Sequence, residues 1–317
     1  GQQTSFLMNE HDALPTIDVL GLGAVAVDDL LYVDRFPEAE SKTRVRRRER
    51  HCGGQTGTAL VAAARFGVRA SYAGLLGEDD LSREVIANFA REGVETGWAT
   101  VSPSACPAQS TIIVDETAKT RTILASVEGE LGAAASGPDE SVIRASRVLL
   151  IDHHGIGGNL RAVKIAHQSC RSVVADFERS AGPGFNELVD LVDHLIVSSR
   201  FAAELTGRSD AAEAVAALAS TGRQLAAVTC GAAGCFYCAG AEPGTVRHQP
   251  AFLVDVADTT GCGDVFHGVY AAALSQALPP ATCIRFAAAA AALKAAQYGG
   301  QAGIPTRGVI DRFLAET

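Results

Sequence analysis

The sequence has no apolar stretch that approaches the roughly 20 residues a helix needs to span a bilayer. Its first sixteen residues lack the basic and apolar blocks of a secretory signal. Cations are the minority charge, with 27 lysines and arginines against 36 acids and a net charge of -9. That balance argues against broad attraction to nucleic acid or to an anionic membrane. These absences predict a cytoplasmic protein that handles small molecules, with neither a nucleic acid nor a membrane as partner.

Cysteine is also sparse, because eight residues in a chain of 317 are too few for a disulfide scaffold. Cys235 and Cys238 form a C-x-x-C pair, but no second pair stands at metal-binding spacing. We therefore expect reduced thiols and a structural role for this pair.

Short β-rich runs alternate with alanine-rich helical runs along most of the chain. Strands are predicted at 17–25, 70–77, 147–152, 172–177, 194–199, 225–231 and 252–256, and helices at 55–66, 80–92, 159–169, 184–192, 200–206 and 210–221. Continuously apolar strands that alternate with helices indicate a parallel sheet covered on both faces. The predicted fold is a doubly wound, mostly parallel α/β sheet sandwiched by helices.

Two segments, 30–52 and 108–127, break this rhythm with period-two alternation and a turn at 117–120. We interpret them as antiparallel strands of a small β lid inserted into one domain that covers 17–317. Residues 1–16 show no periodicity and are expected to form a disordered tail. Exposed lid edges favour a homodimer that forms through the lid.

Within the lid, KTRVRRRER (42–50) has a cation at every even position from Lys42 to Arg50. An extended chain would place these five side chains on one face. They either form a solvated face that prevents strand pairing with another molecule, or part of the face contacts an anionic substrate.

The most informative stretch is DTTGCGDVFHG (258–268), a polar turn directly before a helix. The first turn of a helix presents unpaired N–H groups and the positive end of the dipole. Gly261 and Gly263 let the backbone approach a ligand closely. The amides of residues 261–264 are thus predicted to enclose an oxyanion such as a phosphoryl group in transfer.

Asp264 lies in that first helical turn, where the dipole favours an ionised carboxylate. Beside a bound phosphoryl group it could take the proton of an attacking hydroxyl. The alternative is an ordinary helix-start aspartate without chemistry.

The D-T-x-G-x-G-D pattern, together with CGGQTGTALVAAARFG (52–67), resembles the ribokinase-like, or phosphofructokinase B, family of sugar kinases. The resemblance spans nearly all of 17–317. It implies a doubly wound α/β domain with a β lid, and ATP-dependent phosphorylation of a hydroxymethyl group with Mg²⁺.

By this resemblance, Asp264 is the catalytic base, and Gly261, Cys262 and Gly263 form the anion hole. Asp258 matches an acid that helps hold a monovalent cation, K⁺ in many members. Thr229, Gly231 and Gly234 resemble the turn that lines the nucleotide site. Asp28 matches an acid that binds sugar hydroxyls, and Gly53 and Gly54 match the diglycine on which the substrate lies.

Several positions depart from the common pattern of the family. Thr58 and His267 stand where many members have asparagine, and with Lys42 they are similar to the sulfofructose kinase branch, which adds these three to the predicted substrate-binding residues. Ser198 and Phe201 occupy the place of an N-x-x-E motif that organises water on magnesium. Either Asp176 and Glu178 replace the missing acid, or ATP itself holds most of the magnesium.

Two other functions are consistent with parts of the sequence. GLGAVA (21–26) fits G-x-G-x-x-A after a strand, as in NAD-dependent oxidoreductases, although the following residues alternate like a strand. The missing N-x-x-E motif is also compatible with a non-catalytic sugar or nucleotide sensor, but such a protein would not need Asp264.

Overall fold

The computed structural model describes residues 16–118, 120–219, 222–242 and 244–317. The predicted tail, apart from Thr16, lies outside the described residues.

The strands are β1 (Ile17–Leu22), β2 (Ala26–Val33), β3 (Arg47–Gly53), β4 (Ala70–Tyr72), β5 (Leu75–Leu76), β6 (Thr100–Val101), β7 (Ala108–Asp115), β8 (Thr120–Ser126), β9 (Ser146–Asp152), β10 (Ser172–Asp176), β11 (His194–Ser198), β12 (Leu225–Thr229), β13 (Cys235–Ala239) and β14 (Arg247–Gln249). The helices are α1 (Gln55–Arg65), α2 (Asp80–Glu92), α3 (Glu140–Ala145), α4 (Ile156–Gln168), α5 (Phe185–Leu191), α6 (Ser199–Thr206), α7 (Ala211–Ala219), α8 (Cys262–Ser275), α9 (Pro280–Ala295) and α10 (Arg307–Glu316).

Eight strands form the main sheet in the order β14-β13-β12-β11-β10-β9-β1-β4. The six strands β12, β11, β10, β9, β1 and β4 of this sheet run parallel. Strands β13 and β14 complete one edge in antiparallel pairing. The central strands are buried on both faces, as their continuous Val, Leu, Ile and Ala content requires. The predicted doubly wound α/β fold is therefore confirmed.

Helices cover both faces of this sheet and form two hydrophobic cores. One core contains residues of α1, α2, α8, α9 and α10, and the other contains residues of α3 to α7. Helices α1 and α8 cross at Gly268, where an added Cβ would lie 2.0 Å from the carbonyl oxygen of Ala59. Because Gly268 has no side chain, the two helix backbones can touch.

A second sheet of four strands, ordered β3-β2-β7-β8, lies outside the main sheet. It contains most of the predicted lid, but its first strand begins at Ala26 rather than at residue 30. The prediction of purely antiparallel pairing was wrong, because β2 and β7 are parallel. These two strands are far apart in the chain, so no hairpin forces them into antiparallel order.

Three other sequence predictions need correction or qualification. Residues 252–256 are not a strand, and Leu253 is 96% exposed. The strand predicted at 17–25 ends at Leu22, and residues 26–33 form a strand instead of the helix that a dinucleotide fold requires after its glycine turn. The structure therefore contradicts the oxidoreductase alternative.

All eight cysteines are free. None of the helices within the described ranges has the length and apolarity needed to cross a membrane.

Candidate active site

The glycine-rich turn before α8 is open to solvent at the place where the anion hole is predicted. Gly261 caps the helix with a left-handed φ of 75°. Gly263 is exposed, and an added Cβ would meet no atom within 4 Å. A ligand can therefore approach the backbone of this turn.

The amides of the turn differ in their hydrogen bonding. The N–H of Cys262 donates to the carbonyl oxygen of Thr259 at 3.2 Å. Within the described part of the chain, the N–H groups of Gly261, Gly263 and Asp264 have no acceptor. Three amides of the predicted anion hole are therefore free, whereas the amide of Cys262 already has an acceptor within the turn.

Asp264 follows these amides in the first turn of α8, and its side chain is partly exposed. Burial raises the pKa of its carboxyl well above the ordinary range, and the negative charges of Asp176, Glu178 and Asp152 raise it further. A raised pKa makes the ionised carboxylate a stronger proton acceptor. Asp264 therefore has the position beside the free amides and the raised pKa that the predicted base requires.

His267 is not available to a substrate, contrary to the prediction. Its Nδ1 lies 2.8 Å from the carbonyl oxygen of Gly263, and its Nε2 lies 2.9 Å from that of Ile196. The ring is buried, and Nδ1 also lies 3.3 Å from Oδ2 of Asp176. His267 therefore links α8 to β11, because both ring nitrogens already face protein oxygen atoms.

Asp176 ends β10 beside this histidine, and burial raises the pKa of its carboxyl to about 6. Its position contributes to the negative field at Asp264.

The predicted sugar-binding acid, Asp28, lies on β2 opposite His51 of β3 and Ser110 of β7. Burial raises the pKa of its carboxyl, while a hydrogen bond with Ser110 and the nearby His51 oppose that shift. A Cβ added to Gly53 would lie 3.0 Å from Oδ2 of Asp28. Glycine at this position therefore leaves the carboxylate uncrowded.

Gly54 and Thr58 connect this region to the turn before α8. Gly54 has a φ of 86°, and an added Cβ would lie 2.5 Å from the carbonyl oxygen of Ala24. Only glycine tolerates both the left-handed φ and this close approach of another backbone segment. Thr58, on the first turns of α1, places its methyl group 3.5 Å from the position of a Cβ on Gly261. The structure thus brings a predicted sugar-side residue into contact with the predicted anion hole.

The basic segment behaves differently from the predicted cationic face. Strand β3 begins only at Arg47, and Lys42 lies exposed in the preceding loop. Arg50 pairs with Asp29 at 2.6 Å, on the face of β2 opposite Asp28. The residues that suggested the sulfofructose kinase branch therefore do not form a shared anion site, since Lys42 is in a loop and His267 is buried.

The predicted nucleotide turn follows β12 at the carboxyl edge of the main sheet. Thr229 ends the strand, and Gly231 and Gly234 have φ values of 55° and 86°. A Cβ on Gly234 would lie 2.2 Å from the carbonyl oxygen of Gln249, whereas Gly231 has free space around it. Open α/β sheets bind ligands at this edge.

Asp258 begins the turn before α8, and sequence reasoning missed both of its cationic partners. The Nζ of Lys294 donates to the main-chain oxygen of Asp258 at 2.9 Å, and Arg121 of β8 lies 3.3 Å from its Oδ1. Lys294 is the one charged residue in the alanine-rich second half of α9, FAAAAAALKA, and that isolation was the only available signal.

Sequence reasoning also missed Asp152 at the end of β9. Its buried Oδ2 accepts hydrogen bonds from the amide of Ala24 at 2.6 Å and the hydroxyl of Thr56 at 2.9 Å. The pKa of this carboxyl is lowered, because hydrogen bonds and the charge of His154 outweigh burial. An acid that directly follows the buried run Val-Leu-Leu-Ile was the signal.

The residues in place of N-x-x-E serve the fold. The hydroxyl of Ser198 caps α6 by accepting from the amide of Phe201 at 3.2 Å, and the Phe201 ring is buried. Across the described ranges, no three His, Cys, Asp or Glu side chains are grouped to hold a metal. Because Mg²⁺ usually needs only one or two carboxylates of the protein, Asp176 and Glu178 remain the candidate acids in place of the missing motif.

Comparison with known proteins is consistent with this geometry. The family model described as "pfkB family carbohydrate kinase" matches residues 17–307. A ribokinase of Haemophilus influenzae is 26% identical over 302 residues, which cover 92% of this chain and 97% of that protein.

Solved structures show the same fold. A putative ribokinase from Agrobacterium tumefaciens is 28% identical with a TM-score of 0.87, covering 95% of this chain and 98% of that one. Arabidopsis thaliana ribokinase complexed with ribose and ATP has a TM-score of 0.83 at 21% identity, covering 95% and 99%. A putative ribokinase II from E. coli in complex with ATP and Mg²⁺ has a TM-score of 0.80 at 18% identity, covering 95% and 100%.

Proposed function

This chain belongs to the pfkB family of carbohydrate kinases, enzymes that phosphorylate sugars with ATP, and we propose that it phosphorylates a primary hydroxyl with Asp264 as base. The observation that carries this assignment is the start of α8. There, a carboxylate with a raised pKa directly follows free amides of an exposed glycine turn.

In the proposed reaction, the sugar lies between Asp28 and the diglycine Gly53–Gly54, with Thr58 on the side of the anion hole. The carboxylate of Asp28 accepts hydrogen bonds from sugar hydroxyls, which orients the primary hydroxyl toward Asp264. Asp264 removes the proton of that hydroxyl as its oxygen forms a bond to the γ-phosphorus of ATP. The bond between that phosphorus and the β,γ-bridging oxygen breaks, and ADP leaves.

The nucleotide lies along the turn of Thr229, Gly231 and Gly234, with its γ-phosphoryl group at the start of α8. The amides of Gly261, Gly263 and Asp264 stabilise the charge on the phosphoryl oxygens during transfer. Mg²⁺ bound to ATP neutralises phosphate charge. We propose that ATP and water would supply most of its ligands, because Mg²⁺ usually keeps several waters and binds through substrate phosphates.

An assay of ADP release with a panel of sugars tests this proposal. Ribose is the first compound, because the relatives are named ribokinases, followed by ketohexoses, nucleosides and anionic sugars. We expect sugar-dependent ADP release, with phosphate found on the primary hydroxyl by NMR. Binding of a sugar without ADP release would instead support the sensor, and a product phosphorylated only at a secondary hydroxyl would contradict the acceptor assignment.

We also propose that the chain forms a homodimer through the second sheet. Strand β8 is an exposed edge, and Leu124 and Val127 near its end are 57% and 60% exposed. Apolar side chains along an open edge favour pairing with a second copy. Sedimentation equilibrium of the wild type and of Leu124→Lys tests this, with a dimer expected for the wild type and weaker association for the variant.

A further inference from the structure

Lys294 is a completely buried lysine in the last turn of α9. Its neighbours in that helix are mostly alanines, so it is the exceptional side chain of an otherwise apolar segment. Removing an ammonium group from water costs several kcal/mol unless polar partners replace the lost hydration. The partners of Lys294 therefore indicate what its charge does.

All of these partners are oxygen atoms of two turns beside the candidate active site. The Nζ lies 2.9 Å from the main-chain oxygen of Asp258, 3.5 Å from that of Gln297 and 3.9 Å from Oδ2 of Asp258. Main-chain carbonyl oxygens are the ligands with which proteins replace the hydration shell of K⁺. The ammonium thus occupies an oxygen-lined position that suits a monovalent cation.

K⁺ does not fit beside Asp258 in this chain. Oδ1 of Asp258 accepts hydrogen bonds from the amide and hydroxyl of Thr260, at 2.9 and 2.7 Å, and faces Arg121. Oδ2 accepts from the amide of Gly299 at 3.1 Å and faces Lys294. A second cation would displace these donors and be repelled by two positive side chains.

The same contacts connect Lys294 to the geometry of the anion hole. The carbonyl oxygen of Ala295 accepts from the amides of both Ala257 and Asp258, at 2.8 and 3.0 Å. The Nζ of Lys294 donates to the carbonyl oxygen of Asp258, which lies three residues before Gly261. Its charge also lies at the negative end of the α9 dipole. The turn that presents the free amides is therefore held against α9 by Lys294.

We propose that the ammonium of Lys294 takes the place of a bound monovalent cation, so that this kinase binds nucleotide and works without K⁺. The inference rests on the proposed position of the phosphates at the start of α8. The positive charge beside the turn that precedes α8 is then the ammonium of Lys294, which is present whatever the ionic composition of the solution.

The test compares the wild type with Lys294→Ala and Lys294→Met in potassium-free buffer, with tetramethylammonium chloride exchanged for KCl at constant ionic strength. Lys164→Met is the matched control, because Lys164 is an exposed lysine paired with Glu187. The readouts are ADP affinity by calorimetry and the thermal unfolding midpoint, neither of which requires a known sugar.

We expect KCl to leave both readouts of the wild type and of Lys164→Met unchanged. Lys294→Ala should bind ADP about tenfold more weakly without K⁺ and recover with KCl, because coupling between ligand sites is commonly 5–150-fold. Lys294→Met should lose affinity without recovery, because its side chain still fills the space.

A wild type whose ADP affinity or unfolding midpoint rises clearly with KCl overturns the inference, even if neither variant folds. Unchanged ADP affinity in Lys294→Ala overturns it as well. If ADP does not bind the wild type at all, the proposed function fails. The unfolding midpoints in KCl then still decide whether Lys294 occupies the cation position.

Discussion

The Nη1 atom of Arg121 lies 3.3 Å from Oδ1 of Asp258 and joins the second sheet to the turn before α8. The same guanidinium also contacts the hydroxyl of Thr260. The contact therefore places β8 of the second sheet beside the candidate site, although the two segments are far apart in the chain.

Arg121→Met should therefore lower kcat/KM. The pair is partly exposed, so we expect a loss of about 1 kcal/mol, or roughly fivefold. The loss should shrink at high salt, which screens the pair in the wild type. Arg46→Met is the control, since Arg46 pairs with Asp34 just outside the ends of β3 and β2 of the same sheet. Equal losses in both variants would mean that the contact with Asp258 has no special role.

Asp264→Asn should lower kcat by at least about 100-fold, the usual contribution of a positioned base. Sugar affinity, measured by calorimetry, should change little, because the amide keeps the size of the side chain. Asp80→Asn is the matched control, as Asp80 is also an aspartate in the first turn of a helix but is exposed and pairs with Arg83. Near-normal turnover in Asp264→Asn would exclude Asp264 as the base.

The pH dependence of kcat/KM should show the raised pKa of Asp264. The base acts when ionised, so activity should be low in acid and rise with pH through an apparent pKa well above the ordinary value of 3.8. Asp176→Asn removes a negative charge that raises this pKa, so its rising limb should move to lower pH. A limb that stays in place, or moves upward, would contradict the coupling between these two carboxyls.

Gly54→Ala should destabilise the fold, because alanine disfavours the left-handed φ of 86° and its Cβ would clash with the carbonyl oxygen of Ala24. Gly67 offers a control, because it has a φ of 97° but no atom within 4 Å of an added Cβ. We expect about 1 kcal/mol of lost unfolding free energy for Gly67→Ala and at least about 2 kcal/mol for Gly54→Ala. Urea denaturation measures both. Equal losses would show that the contact with Ala24 can relax without cost.

Much of the main sheet was predictable because its strands carry a local signal. Strands β9 and β11 contain the uninterrupted apolar runs Val148–Ile151 and Leu195–Val197, and such runs are typical of strands that are covered on both faces. The run at 252–256 carries the same signal and fails, since it leaves the sheet after β14 and exposes Leu253. Apolar composition alone does not determine whether a strand finds a partner.

The site was predictable where backbone conformation restricts the sequence. Gly54 and Gly261 have left-handed φ values, and such positions leave a visible glycine pattern. His267, Lys294 and Arg121 were misassigned or missed, because their partners are main-chain oxygens or side chains from distant segments. Long-range contacts of this kind have no counterpart in local spacing.

The backbone contact between α1 and α8 at Gly268 has a consequence for how such an enzyme could change its specificity. One helix starts at the diglycine and the other at the glycine turn proposed to bind phosphate, so the two proposed substrate positions are connected by directly packed helices. The strands of the second sheet could then vary to accommodate new sugars while the distance over which phosphorus travels stays the same. Changes in sugar specificity would then occur in the second sheet, whereas α1 and α8 would keep the geometry of phosphoryl transfer.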